Sequence, residues 1–488
     1  MDYEAVNTIT VNRRTFLKGI CAGAFAANVA YSNRADKQSK QPNVVVILTD
    51  DQGTLDAHCF GSKDLYTPAI DQLAANGIRF TQAYAHTVCC PARAMIMTGR
   101  YPQRSNVNSW MQGQMYGPIG RNMFQNEVTL AEALRAAGYR TGIFGKWHLG
   151  AHPDHGPTKQ GFDEFFGNRD GFIDNYVHYQ LHRTGFHDLF EGTKEVFHRG
   201  DYFPDLVTDR ALAFIERNQD VPFLLYFALN IPHYPEQPLA RYRERYDNLP
   251  EPRRSYAAMI STADDYIRRI LTQLEVLNLL EDTVIVFMSD NGHSEEDYQI
   301  SVDGHLSGYP RGHNYGANSG GGNTGKWIGA KGSFLEGGIR VPAILSYPRK
   351  LPKNTVRDQA ITAMDWYPTV LELCGIPKPD GVRFDGHSIL PLIRDESTPS
   401  QYSVMHWQWQ ENWMVREGDW KLIYNGNRGI NRPKLDKIHL ANLADEQPEL
   451  KNHASRQPEI VKRLEQLHQQ WVREVTPGDI QEFQESPP

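Results

Sequence analysis

The run "NVVVILTDD" near residue 43 has no polar alternation: β-branched and aliphatic residues follow one another until two acids end it. Such a run predicts a strand buried on both faces, as in the parallel sheet of an α/β protein. The segments "YRTGIFG", "PFLLYFAL" (222–229) and "TVIVFMSD" (283–290) read the same way. Between them the period changes. "TPAIDQLAANG" sets Pro68 in a first helical turn and Gly77 just past the end. "TLAEALRAAG" pairs Thr129 with Glu132 as a capping box and stops at Gly138. "AAMISTADDYIRRILTQLEVLN" carries helical spacing throughout. Strands alternating with helices predict an α/β fold with a mainly parallel central sheet flanked by helices. Near residue 400 the pattern shifts again. "VMHWQWQENWMVREGDWKLIYN" alternates and turns, which predicts short antiparallel strands. "PEIVKRLEQLHQQWVREV" follows as an amphipathic helix. The expected organisation is a large domain over 42–395, a smaller C-terminal α+β subdomain with a short antiparallel sheet over 396–475, and a loose tail, 476–488.

The first residues follow a different logic. Arg13 and Arg14 precede a short apolar run, Gly19 to Ala30, that cannot span a bilayer. This resembles a twin-arginine signal peptide over 1–30, with a polar linker over 31–41. No other run is apolar enough for a stable membrane span. The expectation is a bacterial protein that uses the twin-arginine export machinery and works in the periplasm or as a secreted protein. The formal net charge of −7 offers no basic surface, so nucleic acid is not an expected partner. Beyond Cys21 the cysteines are Cys59, Cys89, Cys90 and Cys374, too few for a disulfide framework. Cys59 and Cys374 are expected to be buried as small hydrophobes.

Candidate chemistry lies at the strand ends. One apolar run ends in Asp50-Asp51 and another in Asp290-Asn291. Ligand sites in open α/β sheets gather at the carboxyl ends of strands. Three carboxylates and an amide oxygen suit a hard cation, calcium or magnesium; capping of helices and turns is the competing use of the same residues. Next comes "HTVCCPARAMIMTGR", where Pro91 fits the first turn of a helix. Cys89 would lie at its N-terminus, where free N–H groups attract anions. Arg93, four residues on, would project toward the same place.

The segment "CCPARAMIMTGR" resembles the sulfatase signature C-x-P-x-R. "TPAIDQLAANGIRFTQAYA", "GYRTGIFGKWHLG", "GFDEFFG", "VIVFMSDNG", "GAKGSFLEGGIRVP" and "DWYPTVLELCGI" are also similar to type I sulfatase segments, in the family's order. The resemblance runs from Asn43 to about Trp471. It implies an alkaline-phosphatase-like sulfatase fold. It further implies that Cys89 is oxidised to formylglycine (3-oxoalanine) by a maturation enzyme, with Cys90 in the variable position. The hydrate of that aldehyde would attack sulfur and form a covalent sulfate ester. Asp50, Asp51, Asp290, Asn291 and formylglycine 89 would bind one Ca²⁺. Arg93 and Lys146 would hold the hydrate and offset sulfate charge. His148 would take the proton that releases sulfate, while His233 and Lys331 would contact the sulfate and protonate the leaving oxygen. Ala92 stands where many family members have Ser.

The implied activity is sulfuric ester hydrolysis, with a sulfated carbohydrate as the expected substrate. The competing readings are a formylglycine-dependent phosphonate monoester or phosphodiester hydrolase of the same superfold, and a noncatalytic protein that binds sulfated glycans. The stretch 172–188, "FIDNYVHYQLHRTGFHD", reads equally as sugar subsites or as packing of an irregular insertion. "GGGNTGK" mimics the start of a phosphate-binding loop, but Trp327 replaces the required Ser or Thr and no strand precedes it. It reads instead as a mobile loop before Lys331.

Overall fold

The computed structural model describes residues 41–109, 122–426 and 434–476. The expected signal peptide at 1–30, all of the linker but Gln41, and all of the tail but Thr476 lie outside them.

The main sheet is built from β1 (Asn43–Asp50), β2 (Gly77–Tyr84), β3 (Arg140–Gly145), β4 (Glu164–Gly167), β5 (Phe190–Glu191), β6 (Lys194–Glu195), β7 (Phe223–Pro232), β8 (Thr283–Ser289), β9 (Arg340–Ser346), β10 (Thr355–Arg357) and β11 (Ile361–Thr362). Their order is β10-β2-β9-β8-β1-β7-β3-β4-β5-β6, with β11 also paired to β2. The central strands β8, β1, β7, β3 and β4 are parallel, with Val45 opposite both Ile285 and Leu225. Every residue of β1, β7 and β8 is buried. Alternate side chains serve opposite faces, as the pleat requires. Val44, Val46 and Leu48 join one core with the helices Cys89–Thr98 and Trp366–Cys374. Val45 and Ile47 join another with the helices Phe203–Arg217 and Arg253–Val276.

The sheet is mixed rather than wholly parallel. Strand β9 lies antiparallel to both β8 and β2. Its seven residues are all buried, so its apolar run carries the same signal as a parallel strand and says nothing of direction. Of the two scattered cysteines, Cys374 is buried as expected, but Cys59 is half-buried.

The C-terminal sheet has β12 (Val404–Trp409), β13 (Asn412–Glu417), β14 (Trp420–Tyr424) and β15 (Ile438–Asn442), each antiparallel to the next. The helix Pro458–Val475 covers one face, packing Leu464 against Val415, Leu422 and Leu440. Met405, Trp407 and Met414 share a core with Tyr84, Leu335 and Ile339. A buried charge group lies in the same region. Lys421, fully buried, donates to Glu336 at 2.9 Å and to Glu449 at 2.7 Å. Both Glu449 oxygens also accept from the Glu336 backbone N–H. Removing one partner of such a group strands the others in low dielectric. Lys421→Met is therefore expected to destabilise the fold by about 3–5 kcal/mol, seen as a lower urea midpoint at unchanged slope.

Candidate active site

Strands β1 and β8 are adjacent and parallel, with Thr49 opposite Ser289. Their carboxyl ends therefore deliver Asp50-Asp51 and Asp290-Asn291 to one place. Short bonds fix the junction. Gln52 N–H donates to Ser289 Oγ at 2.9 Å, and Asn291 Nδ2 donates to Asp51 Oδ1 at 2.6 Å. Asp51 adopts φ of 67°, an uncommon conformation for a non-glycine residue. All four side chains are buried. Burial raises Asp51 and Asp290 above the usual carboxylate range, and the Asp50 charge adds repulsion to both. Asp50 goes the other way: burial opposes its charge, but the Lys146 and Arg93 cations hold its carboxyl well below the usual range.

Two observations test whether these residues suit a cation. Asp50 Oδ1 and Asn291 Oδ1 are buried and accept no hydrogen bond. Asp50, Cys89 and Asp290 present ligand atoms that all lie within 4.8 Å of one another. Buried oxygens without donors, crowded with carboxylates, form a donor set for a hard divalent ion.

The helix Cys89–Thr98 begins at Cys89 itself, after Val88 in extended conformation, and ends on Gly99 in the left-handed region. All ten of its residues are buried. Burial pushes the Cys89 thiol up to about 11, so an unmodified thiol there stays protonated at neutral pH. Cys90 belongs to the hydrophobic core beside Ala92 and Met95.

The basic residues sort into distinct roles. Arg93 is expected from the resemblance to face the hydrate and sulfate. It is completely buried, and its Nε and Nη2 donate to Asp290 Oδ2 at 3.0 and 2.8 Å while Nη1 donates to the Lys146 carbonyl. Its guanidinium is thus first a clamp on Asp290. Lys146 follows β3, where Gly145 at φ of 119° lets the chain run against Ala228; a Cβ there would sit 1.9 Å from the Ala228 oxygen. Lys146 Nζ reaches Asp50 Oδ2 at 2.5 Å. His148, buried and at φ of 55°, has its ring beside Gly171.

On the other side of Asp51, Lys331 Nζ donates to Asp51 Oδ2 at 2.9 Å and to His233 Nε2 at 2.8 Å. His233 Nδ1 lies 2.6 Å from the Tyr234 carbonyl, which accepts its proton and leaves Nε2 as acceptor. Burial, then the Lys331 charge, push this imidazole down to about 3. Neutral His233 therefore accepts from the Lys331 ammonium and orients it, and of the two it is Lys331 that carries a proton to give. That divides the task the resemblance gives to both residues.

The structure adds a member that sequence reading missed: Glu296 takes a third bond from Lys331, at 3.1 Å. Phe172, the first residue of the stretch read as sugar subsites or packing, stacks on His233 with ring centroids 5.2 Å apart. Phe172 and His182 belong to this neighbourhood, whereas Asp174, His178 and Asp188 of the same stretch are buried in structural hydrogen bonds. The expected mobile loop is pinned, since Asn323 bonds Asp56 and Leu55, and Arg253 bonds the Gly321 carbonyl.

The comparisons with known proteins agree with this architecture. Residues 42–376 match the Sulfatase family model, and 327–474 match that of the N-sulphoglucosamine sulphohydrolase C-terminal region. The chain is 28% identical to Arylsulfatase J of Mus musculus, over 90% of this chain and 77% of that one. It is 30% identical to N-acetylgalactosamine-6-sulfatase of Canis lupus familiaris, over 76% and 73% of the two chains. Among solved structures it is similar to Ps i-CgsB in complex with k-i-k-neocarrahexaose, with TM-score 0.75, 26% identity, and 90% and 94% of the two chains covered. With a mixed α/β sheet, carboxylates gathered at its strand ends and C-x-P-x-R opening a helix beside them, the chain belongs to the sulfatase family.

Proposed function

We propose that this sulfatase removes sulfate from a sulfated carbohydrate, using formylglycine at position 89 and one bound calcium ion. The observation that carries this reading is the convergence of Cys89 with Asp50 and Asp290, alongside the Lys331–His233 pair on Asp51. The neocarrahexaose named with the related Ps i-CgsB structure favours a carbohydrate substrate. Asp50, Asp51, Asp290 and Asn291 would hold the calcium, which when bound supplies Lewis-acid polarisation of the sulfate oxygens. A hydrated aldehyde at residue 89 supplies two hydroxyls: one passes its proton to the neighbouring Asp290 carboxylate as its oxygen displaces the alcohol from sulfur, and the other is deprotonated later to expel sulfate.

The chain's own residues then divide the proton work. Lys331, oriented by His233, donates to the leaving oxygen as its bond to sulfur breaks. His148 takes the proton from the second hydroxyl, and the carbon–oxygen double bond reforms as sulfate departs. Lys146, through Asp50, keeps positive charge beside the nucleophile. Water adds back to the aldehyde, so the net reaction is ester plus water to alcohol plus hydrogensulfate.

The maturation enzyme that oxidises Cys89 is a proposed partner. So is the twin-arginine export machinery, read from Arg13 and Arg14, with the periplasm or the exterior of a bacterium as destination. The test is a panel of defined sulfated saccharides, offered to protein co-produced with a maturation enzyme. Release of inorganic sulfate is expected from at least one, and turnover should vanish on chelation and return with calcium. Faster cleavage of phosphonate or phosphodiester analogues than of any sulfate ester would overturn the reading.

A further inference from the structure

Glu296 lies six residues after Asp290, outside the motif that carries the metal ligands. Its carboxylate is unusually placed. Ser294 Oγ donates to Oε2 at 2.8 Å, and Lys331 Nζ donates to the same oxygen at 3.1 Å. The Glu296 backbone N–H bonds back to Ser294 Oγ at 3.1 Å, so the loop turn fixes the side chain's base. Both side-chain bonds fall on Oε2, and neither uses Oε1. Exposure rises outward along this row of charges: 2% for the Asp51 side chain, 10% for Lys331 and 28% for Glu296. Glu296 therefore stands at the mouth of the site, one residue outward from the ammonium that meets the ester.

Beside it stand the part-exposed rings of His182 and Tyr298, packed over the buried rings of Phe172 and Tyr234. Phe172 lies 4.7 Å from His182 and 4.8 Å from Tyr234, and His182 lies 4.8 Å from Tyr298. A carboxylate with an oxygen to spare beside aromatic rings is how proteins read sugars: rings take the C–H face, the carboxylate accepts from hydroxyls. The same charge repels a second anion.

We propose that Glu296 is a specificity-determining residue. Through Oε1 it accepts a hydrogen bond from a free hydroxyl on the sugar carbon next to the sulfated one, and it disfavours substrates sulfated at both. The donor is the sugar hydroxyl and no proton changes owner. This rests on the carbohydrate reading above and narrows it to esters flanked by a free hydroxyl.

The experiment compares wild type, Glu296→Gln and Glu296→Ala on three probes. They are a monosulfated saccharide that the wild type cleaves, its vicinally disulfated counterpart, and p-nitrophenyl sulfate, which has no neighbouring hydroxyl. In both variants the ratio of saccharide to aryl sulfate kcat/KM is expected to fall about 10- to 100-fold, the range for a hydrogen bond to a charged group. Most of that fall should appear in KM. Discrimination against the disulfated probe should narrow in Glu296→Gln, which keeps the shape and removes the charge. Equal loss on saccharide and aryl sulfate would overturn the proposal, because Glu296 would then act only through Lys331. So would unchanged ratios. Wild-type turnover of aryl sulfate with none of any saccharide would instead fail the carbohydrate reading, and this proposal with it.

Discussion

Cys89→Ala is expected to abolish sulfate ester hydrolysis, by about 10⁴-fold or more in kcat, while leaving the fold intact. The side chain is small, and its removal from the first turn of a buried helix strands no charge. The loss is chemical. Among the described residues neither Cys90, turned into the core, nor Lys146, held on Asp50, can take its place. Cys89→Ser separates two accounts of the residue. Burial holds a thiol at 89 protonated, so if a simple thiol or hydroxyl sufficed, serine would retain much of the rate. A formylglycine mechanism predicts that serine is nearly as inactive as alanine, since it offers no second hydroxyl to expel sulfate. Cys90→Ser is the matched control. Its Sγ lies 3.7 Å from the Val107 carbonyl, away from the proposed chemistry, so activity per folded molecule should stay within about threefold of wild type even though a serine hydroxyl, on a shorter bond, needs a small shift to reach that carbonyl.

Asp290→Ala combines the loss of a proposed cation ligand with the loss of a structural counter-charge. Arg93 is completely buried and directs two donors at Asp290 Oδ2. Without that carboxylate the guanidinium keeps only Asp50 at 3.6 Å as a counter-charge and the Lys146 carbonyl as an acceptor. Breaking one side of a buried pair typically costs about 3–5 kcal/mol, so a reduced thermal midpoint is expected together with activity below about a thousandth of wild type. Asp290→Asn preserves shape and an acceptor oxygen, and should recover much of the stability without recovering the activity. Calorimetry and a sulfate-release assay on both variants would separate the two losses. Full activity in Asp290→Asn would contradict the role given to the carboxylate.

The central strands were legible because burial on both faces writes an unbroken apolar run, as in Val44 to Leu48. The acids that end those runs were legible for the same reason: the sheet delivers its carboxyl ends together. The direction of β9 was not, since an apolar run carries no sign and its partner β2 is distant in sequence. The resemblance named Arg93 but not its geometry, because a motif records identity and not whether a guanidinium faces substrate or clamps Asp290. Glu296 was invisible for a related reason. It becomes significant only when the chain brings Lys331, 35 residues further on, to within 3.1 Å.

The most direct measurement is mass spectrometry of the tryptic peptide Phe80–Arg93 from active protein co-produced with a maturation enzyme. The prediction is a peptide in which the side chain of residue 89 has exchanged its thiol for an aldehyde, reactive toward a hydrazide, with Cys90 still alkylatable. Fully active protein whose residue 89 is intact cysteine would contradict the mechanism.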